Sequence, residues 1–338
     1  MKNRKICLFV TLLLVLTLLF TFSVSAAPRQ IKISHATAPG DPRDKGALAL
    51  RDYINANLED MEAVVYPASQ LGEASQTIEA MQAGAIEIVI LPSAFLGGFE
   101  PLVTLLDVPF FLPGDFDDLL KIQNSDAAKA LLDTTQHVGI VSLDFWSTGY
   151  KQWTSNKPLR KPEDFAGLKW RIMPSPVLEE MYKELGARPV FVPFEELYSA
   201  LQTGAADGQG DCPIALIANM HFNEVQRYIS VSNYGPSEML VMASKLWYDS
   251  LSKDVQEIIQ KAAEEGAKVC ADAAKNDQDQ RWREIEEKGG TEFVILTEEE
   301  IEMFREKTKG VQEFYVSKYG EKAKKIIDDY RIAIEKLK

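Results

Sequence analysis

The sequence predicts an α/β protein of two lobes with a cleft between them. Three observations carry that prediction. Strand and helix patterns alternate between residues 31 and 91 in the order βαβαβ with short connections. That order builds a mainly parallel sheet with helices on both faces. The same grammar returns between residues 168 and 211, and Ala80-Met-Gln-Ala-Gly-Ala85 is echoed by Ala200-Leu-Gln-Thr-Gly-Ala205. In each case a helix stops at glycine and feeds a strand, although so short an echo is weak evidence of duplication on its own. Finally, 338 residues of which 46 % are hydrophobic exceed one ordinary domain and suffice for two cores.

The first residues read as a targeting signal. Lys2, Arg4 and Lys5 precede an apolar run from Ile6 to Phe20 that only Thr11 and Thr17 interrupt, and Val24-Ser25-Ala26 offers a small-residue cleavage site. The cut is placed after Ala26, with Ala27 as the alternative; an uncleaved anchor is the competing reading. Cys7 lies inside this signal, so a lipid-anchored start is not expected.

The first lobe is assigned to residues 27–145. Ile31–His35 alternates like a strand, Pro39-Gly-Asp-Pro42 turns, and a helix is expected over Lys45–Leu58. Ala63–Tyr66 is the second strand, Glu73–Ala83 a helix stopped by Gly84, and Ile86–Leu91 a β-branched buried strand closed by Pro92. The apolar stretch Ser93–Phe111 is expected to pack against this lobe. Helices over Asp115–Leu132 and a strand over Gly139–Phe145 complete it.

The second lobe is assigned to residues 146–235. Leu168–Met173 reads as a strand with Leu168, Trp170 and Ile172 on one face and Lys169, Arg171 and Met173 on the other. Ser175 caps the following helix, Pro176 suits its first position, and Gly186 ends it. Val190–Pro193, a helix over Glu195–Thr203 and the segment Ala205–Asp211 follow, with another strand at Ile229–Val231. Residues 236–338 supply a crossover strand at Glu238–Ala243 and C-terminal helices over Asp254–Lys288, after the Thr297/Glu300 capping box, and over Glu313–Lys338. These helices brace both lobes; no clean heptad supports a coiled-coil dimer instead, and a monomer is expected.

Composition narrows the function. A net charge of −13 and the lack of a basic stripe argue against nucleic acid. Cys212 and Cys270 are no disulfide framework and are expected to be free and buried. His35, His137 and His221 are scattered, so no metal cluster and no cofactor are expected. No Gly-x-Ser-x-Gly, phosphate loop or His-Glu-x-x-His motif appears, and Glu195 with Glu196 reads as an acidic first helical turn. An exported, acidic, two-lobed chain without catalytic apparatus points to a solute receptor that closes on its ligand. Arg171 sits beside a helix start, where a carboxylate can be received; an edge-strand surface residue is the plain alternative.

Several motifs then become specific together: Gly167-Leu-Lys-Trp-Arg171, Leu185-Gly-Ala187, Glu196-Leu-Tyr-Ser-Ala-Leu-Gln202 and Asp207-Gly-Gln209, with Tyr66-Pro-Ala-Ser-Gln-Leu-Gly72, Gln82-Ala-Gly84 and Val108-Pro-Phe110. Across the mature chain they resemble the TRAP-transporter solute-binding proteins, the receptors of tripartite ATP-independent periplasmic transporters, of the dicarboxylate-receptor (DctP-like) type. The resemblance implies the two-lobed periplasmic solute-binding-protein fold with a ligand cleft and long C-terminal helices. It also implies a periplasmic location, TRAP membrane permease subunits as partners, a small-molecule carboxylate as ligand, and no enzymatic activity.

The family's hallmark arginine, which pairs with the ligand carboxylate, falls on Arg171. Lys151, in Gly149-Tyr-Lys-Gln-Trp-Thr-Ser-Asn156, stands where the sialic-acid branch has a second arginine. Phe194 matches an aromatic residue that packs on the ligand. Asp211 replaces the usual asparagine, which suits a ligand with an amine or hydroxyls, or else pairs with Lys151. Trp153 joins the aromatic candidates, with Trp146 nearby. Ser93 and Phe95 are the first-lobe candidates, with His35 at the end of the first strand. Pro92 and Phe95 are apolar, which argues against sialic acid. The expected ligand is a carboxylate with an apolar or aromatic body, with an amino acid in view. A C4-dicarboxylate or sugar acid is the runner-up, and each aromatic named can equally be core packing. An exported enzyme using Asp207, Asp211 or Glu196 is the rival class, and a sensory adaptor would share the fold and pocket.

Overall fold

The computed structural model describes residues 29–337; the expected signal peptide and its cleavage site lie outside them. The first sheet begins with β1 (Arg29–His35), whose alternation buries Ile31 and Ile33. Helix α1 (Pro42–Asn57) follows: Asp41 caps it by accepting the Arg43 amide hydrogen bond at 3.0 Å, and Pro42 opens it. The helix therefore starts three residues before the expected Lys45, which places Arg43 in its first turn. Next come β2 (Met61–Tyr66), α2 (Ala74–Gln82) and β3 (Ile88–Pro92). The apolar stretch after β3 forms two short 3-10 turns, Ser93–Leu96 and Pro101–Asp107, and helices α3 (Phe116–Gln123) and α4 (Asp126–Asp133) lead to β4 (Ile140–Tyr150).

The chain then changes sheets. Only Lys151 separates β4 from β5 (Gln152–Ser155), which belongs to the second sheet. The change thus falls at Lys151, past the boundary expected at residue 146. The second sheet gathers β6 (Lys169–Ile172), α5 (Pro176–Glu184), β7 (Arg188–Phe191), α6 (Leu197–Thr203), β8 (Gly208–Cys212), α7 (Ile214–Asn219) and β9 (Tyr228–Val231). Residues 232–235 carry the chain back into β10 (Pro236–Ser244), a wholly buried strand of the first sheet. A short helix α8 (Lys245–Tyr248), the 36-residue α9 (Lys253–Lys288), β11 (Glu292–Ile295), α10 (Glu298–Lys307) and α11 (Gly310–Glu335) complete the order.

The first sheet has the order β2-β1-β3-β10-β4 and the second β11-β9-β5-β8-β6-β7. Most strands of each sheet run the same way, as the βαβ pattern predicts. Each sheet has one strand running against the rest, β10 in the first and β5 in the second. Both are the strands that deliver the chain from the other lobe. The two passages are tied together: the Lys151 amide donates to the Gly235 carbonyl at 2.9 Å, and the Gln152 side-chain oxygen accepts from the Ser232 and Asn233 amides.

Helix α9 packs on α1, β4 and α7. It crosses α1 at Gly46 and Gly266, over the Trp146 ring, whose indole N–H donates to the Ala263 carbonyl at 3.0 Å. A Cβ on Gly266 would lie 2.2 Å from the Trp146 ring and 2.9 Å from the Gly46 carbonyl oxygen. Backbone carbonyls cannot move aside as a side chain can, so this crossing needs both glycines. Gly266→Ala is expected to cost about 1–3 kcal/mol of unfolding free energy, read as a lower urea midpoint.

Two carboxyls lie under this sheet, Glu238 on β10 and Asp144 on β4. Glu238 accepts from the Ser147 hydroxyl at 3.0 Å and from the Gln123 amide, and burial pushes its pKa up from 4.5 to about 7. Burial likewise takes Asp144 up to about 7. A raised carboxyl pKa means the native state holds a proton that the unfolded chain releases. Stability from these groups is therefore present below pH 4 and lost as pH rises towards 7. Glu238→Gln is expected to remove up to about 3 kcal/mol of that loss, so denaturation between pH 4.5 and 7.5 should show a flatter profile for the variant than for the parent.

Candidate functional site

A cavity of about 320 Å³ opens between the lobes, with the first sheet on one side and the second on the other. The pleat of β6 explains its central residue. Trp170 turns into the aromatic core, so Arg171, next along the strand, points the other way into the cleft. Arg171 is 1 % exposed. Its Nε donates to the Val192 carbonyl at 3.1 Å and its Nη1 to Asp211 Oδ2 at 2.8 Å, while Nη2 is buried without a partner among the described residues. The guanidinium is thus held on two sides and left open on the third.

Asp211 lies on β8, beside β6. Its amide is fixed by the Gln209 side-chain oxygen at 2.8 Å, and its Oδ1 is buried and has no partner among the described residues. Burial raises its pKa, and Arg171 and then Lys151 oppose that rise. One open donor and one open acceptor therefore sit on the same ion pair. The surrounding wall is apolar: Phe95, Phe99, Met173, Phe194, Leu216 and Met239 all line it.

The lobes touch over this cavity. The Ser69 hydroxyl of the first lobe donates to Glu195 of the second at 2.5 Å. Gly97 approaches so closely that a Cβ there would lie 2.8 Å from the Pro174 carbonyl oxygen.

Residues 33–318 match the family model for the bacterial extracellular solute-binding proteins, family 7, DctP. The chain belongs to this family. The family-7 relative from Rhodobacter capsulatus named C4-dicarboxylate-binding periplasmic protein DctP is 37 % identical over 293 residues, covering 84 % of this chain and 86 % of its own length. A solved TRAP periplasmic solute-binding protein from Desulfovibrio salexigens, with bound orotic acid, aligns with a TM-score of 0.87 at 31 % identity, covering 91 % of this chain and 99 % of that one. The periplasmic ectoine-binding protein of the TeaABC TRAP transporter of Halomonas elongata gives 0.87 at 27 % identity, over 90 % and 99 % of the two chains. The two-lobed α/β architecture with long C-terminal helices is the fold of these receptors.

Within this family-7 chain, Arg171, Asp211, Phe95 and Phe194 meet around the cavity. The other expected contacts lie elsewhere. Lys151 is buried in the chain crossing, where its Nζ meets Asp107 Oδ1 at 2.8 Å and lies 5.9 Å above the Tyr234 ring. The carboxylate at the end of the Pro101–Asp107 turn claims it, so it neither lines the cavity nor pairs with Asp211. Trp153 is a core residue: it stacks on Tyr234 at 5.4 Å and meets Phe165 and Phe304 at 5.0 and 4.6 Å. Trp146 is likewise packed beneath α1 and α9.

His35 is also structural. Its Nε2 meets Asp44 at 3.1 Å and its Nδ1 meets Thr37 at 3.2 Å, and burial with the nearby Arg43 charge lowers its pKa to about 4. Ser93 is buried in its 3-10 turn outside the cavity wall. Cys212 and Cys270 are free and buried, as expected; Cys212 lies in the wall, where burial pushes its thiol up to about 12. Among the described residues no group of three His, Cys, Asp or Glu could hold a metal ion.

Among the cavity residues that sequence reasoning missed is Arg43, with Phe99, Leu216 and Met239. Arg43 lines the wall from the first lobe, and the signal was present: Asp41-Pro42 is a cap followed by a first-position proline.

The Lys151–Asp107 pair gives a test of structural against ligand-binding roles. Lys151→Met leaves Asp107 buried and unpaired, and is expected to cost about 3–5 kcal/mol in chemical denaturation. Adding Asp107→Leu should recover most of that loss. A loss of solute binding in the double variant, with stability restored, would contradict this placement of Lys151.

Proposed function

We propose that this chain is an extracytoplasmic receptor that closes on an organic acid and delivers it to a TRAP-type permease for secondary active uptake. The observation that carries the reading is the open Nη2 of Arg171. A buried guanidinium, oriented by Val192 and Asp211, presents an unused donor to an apolar-walled cavity between two lobes. A planar guanidinium gives a carboxylate directional, charge-assisted hydrogen bonds. The apolar wall favours a solute with an apolar or aromatic body. The unpartnered Asp211 Oδ1 favours one with a donor near its carboxylate, as an amino acid has. The periplasmic names of the relatives and the N-terminal sequence support export to the periplasm. The protein acts as a monomer in this reading.

The second reading, a C4-dicarboxylate or sugar acid, is favoured by the name of the Rhodobacter capsulatus relative. The aromatic wall weighs against a polyhydroxylated solute. A catalytic role is disfavoured by the candidate acids themselves. Glu196 is exposed, Asp207 accepts from the Lys169 amide at 2.7 Å, and neither lines the cavity. Asp211 reaches it already engaged by Arg171.

Screening organic acids by thermal shift is expected to give hits, because a bound solute stabilises the folded state. Arg171→Ala should weaken the best hit by about 30-fold or more in calorimetry, the usual scale for truncating a buried charged partner. Equal affinity in parent and variant would sink the anchor assignment.

A further inference from the structure

We propose that Gln209 is a positioning residue of the solute site. Its side chain shapes β8 so that Asp211 turns into the cleft, and thereby sets the receptor's preference for a solute with a cationic donor beside its carboxylate. This inference rests on the Arg171–Asp211 pair receiving the head of the solute.

A regular strand presents alternate residues to one face, yet Asp211 and Cys212 are consecutive on β8 and both line the cavity. The pairing with β5 accounts for this. Thr154 lies opposite Gln209 and Gln152 opposite Cys212, so two steps along β5 match three along β8. The extra residue makes a β-bulge at Gly210–Asp211, and a bulge re-aims side chains. On its other side β8 pairs with β6 only as far as Gln209, which lies beside Arg171.

Gln209 holds the bulge in shape. Its Oε1 accepts from the Asp211 amide at 2.8 Å and from the Cys212 amide at 3.2 Å. The Asp211 Cα lies between those two amides, so fixing both fixes the direction of its side chain. The Gln209 Nε2 donates to the Thr154 hydroxyl at 3.2 Å, and that hydroxyl donates to Gln226 Oε1 at 3.3 Å. This relay orients the side-chain amide so that its oxygen meets the backbone. All three side chains are buried.

The far side of the bulge is equally fixed. The Gly210 carbonyl accepts from the Tyr234 hydroxyl at 2.7 Å, and a Cβ on Gly210 would strike the Tyr182 hydroxyl. With the backbone so set, Asp211 Oδ2 meets Arg171 Nη1 at 2.8 Å and Oδ1 remains open among the described residues. Without the Gln209 oxygen, two buried amides lose their acceptor and the Asp211 carboxylate loses its fixed direction. Arg171 keeps its bond to the Val192 carbonyl at 3.1 Å. The carboxylate anchor and the reader of the cationic donor are thus separable, and Gln209 governs the second.

The test uses the mature protein with 3-phenylpropanoate and with phenylalanine of either hand, which carry one skeleton without and with an ammonium group. In calorimetry the parent should bind one enantiomer of phenylalanine about 10-fold or more tightly than 3-phenylpropanoate. Asp211→Asn should erase that preference. Gln209→Met should reduce it to within about 3-fold while leaving 3-phenylpropanoate within about 3-fold of its parent affinity, and in the Asp211→Asn background it should change the preference no further. Gln209→Asn, whose oxygen is one methylene too short to reach the amides, is expected to act in the same way and serves if Gln209→Met fails to fold. Both variants should melt lower than the parent. Gly266→Ala, destabilised at the α1–α9 crossing, should keep the preference and so separates positioning from loss of stability. A preference that survives in the Gln209 variants, or that Gly266→Ala erases as well, overturns the proposal and leaves the Arg171–Asp211 reading standing. If neither compound binds the parent, if the parent shows no preference, or if Asp211→Asn retains it, that reading fails and this inference with it.

Discussion

A cation withdrawn from water must find an acceptor, and three are withdrawn into the space between the two sheets. Lys151 is paired with Asp107 and Arg171 with Asp211, whereas the Arg43 side chain has no hydrogen-bonded or ion-paired acceptor among the described residues, although the buried Asp41 carboxylate feels its charge. That gradient divides the labour. The Lys151–Asp107 pair lies in the chain crossing, with Asp107 Oδ2 unpartnered among the described residues, and the Arg171–Asp211 pair lies at the cavity with one open donor and one open acceptor. Arg43, on the other lobe, lines the same cavity. Burial of this kind stabilises little by itself; it fixes where polar groups must meet, and thereby where the lobes must sit.

The Lys151–Asp107 pair stands where the chain passes between lobes. Around it the two passages are joined by Gln152, and the Phe110 amide donates to the Tyr234 carbonyl at 2.7 Å. Phe110 adopts φ +56° and Asn233 φ +46°. Left-handed backbone at a bulky residue such as Phe110 is uncommon and must be held by its surroundings. The two chain passages thus form one narrow, hydrogen-bonded seam between the lobes. Helix α9 spans both halves behind that seam, and its crossing with α1 at two glycines leaves no slack there.

Much of this could be read in the sequence, since periodicity and end signals are local. The strands, the Thr297/Glu300 box, the Ser175-Pro176 start and the buried cysteines all came from short windows of chain. Arg171 could be singled out because motifs on either side of it are specific in combination. Errors arose where the outcome depends on distant partners. Lys151 meets Asp107, 44 residues away, and no local pattern marks that contact. Trp153 and Phe194 are both aromatic residues near second-lobe motifs, and only the pleat and the packing decide that one stacks on Tyr234 while the other faces the cleft. Arg43 was lost for a different reason. The helix starts at its Asp41 cap, ahead of its apolar run, so a first-turn residue reads as loop in the sequence.

The strand order has a consequence for how the molecule comes into being. The gap between β3 and β4 is filled by β10, whose residues follow the entire second sheet except its edge strand β11. A growing chain that has produced its first 150 residues therefore holds two strands with no central partner. They stay unzipped until about ninety more residues have been made. Contacts so remote in sequence form slowly, and an incomplete sheet exposes its edges meanwhile. The first sheet cannot close before nearly all of the second has been made, so the architecture itself delays closure of that core until most of the polypeptide has emerged.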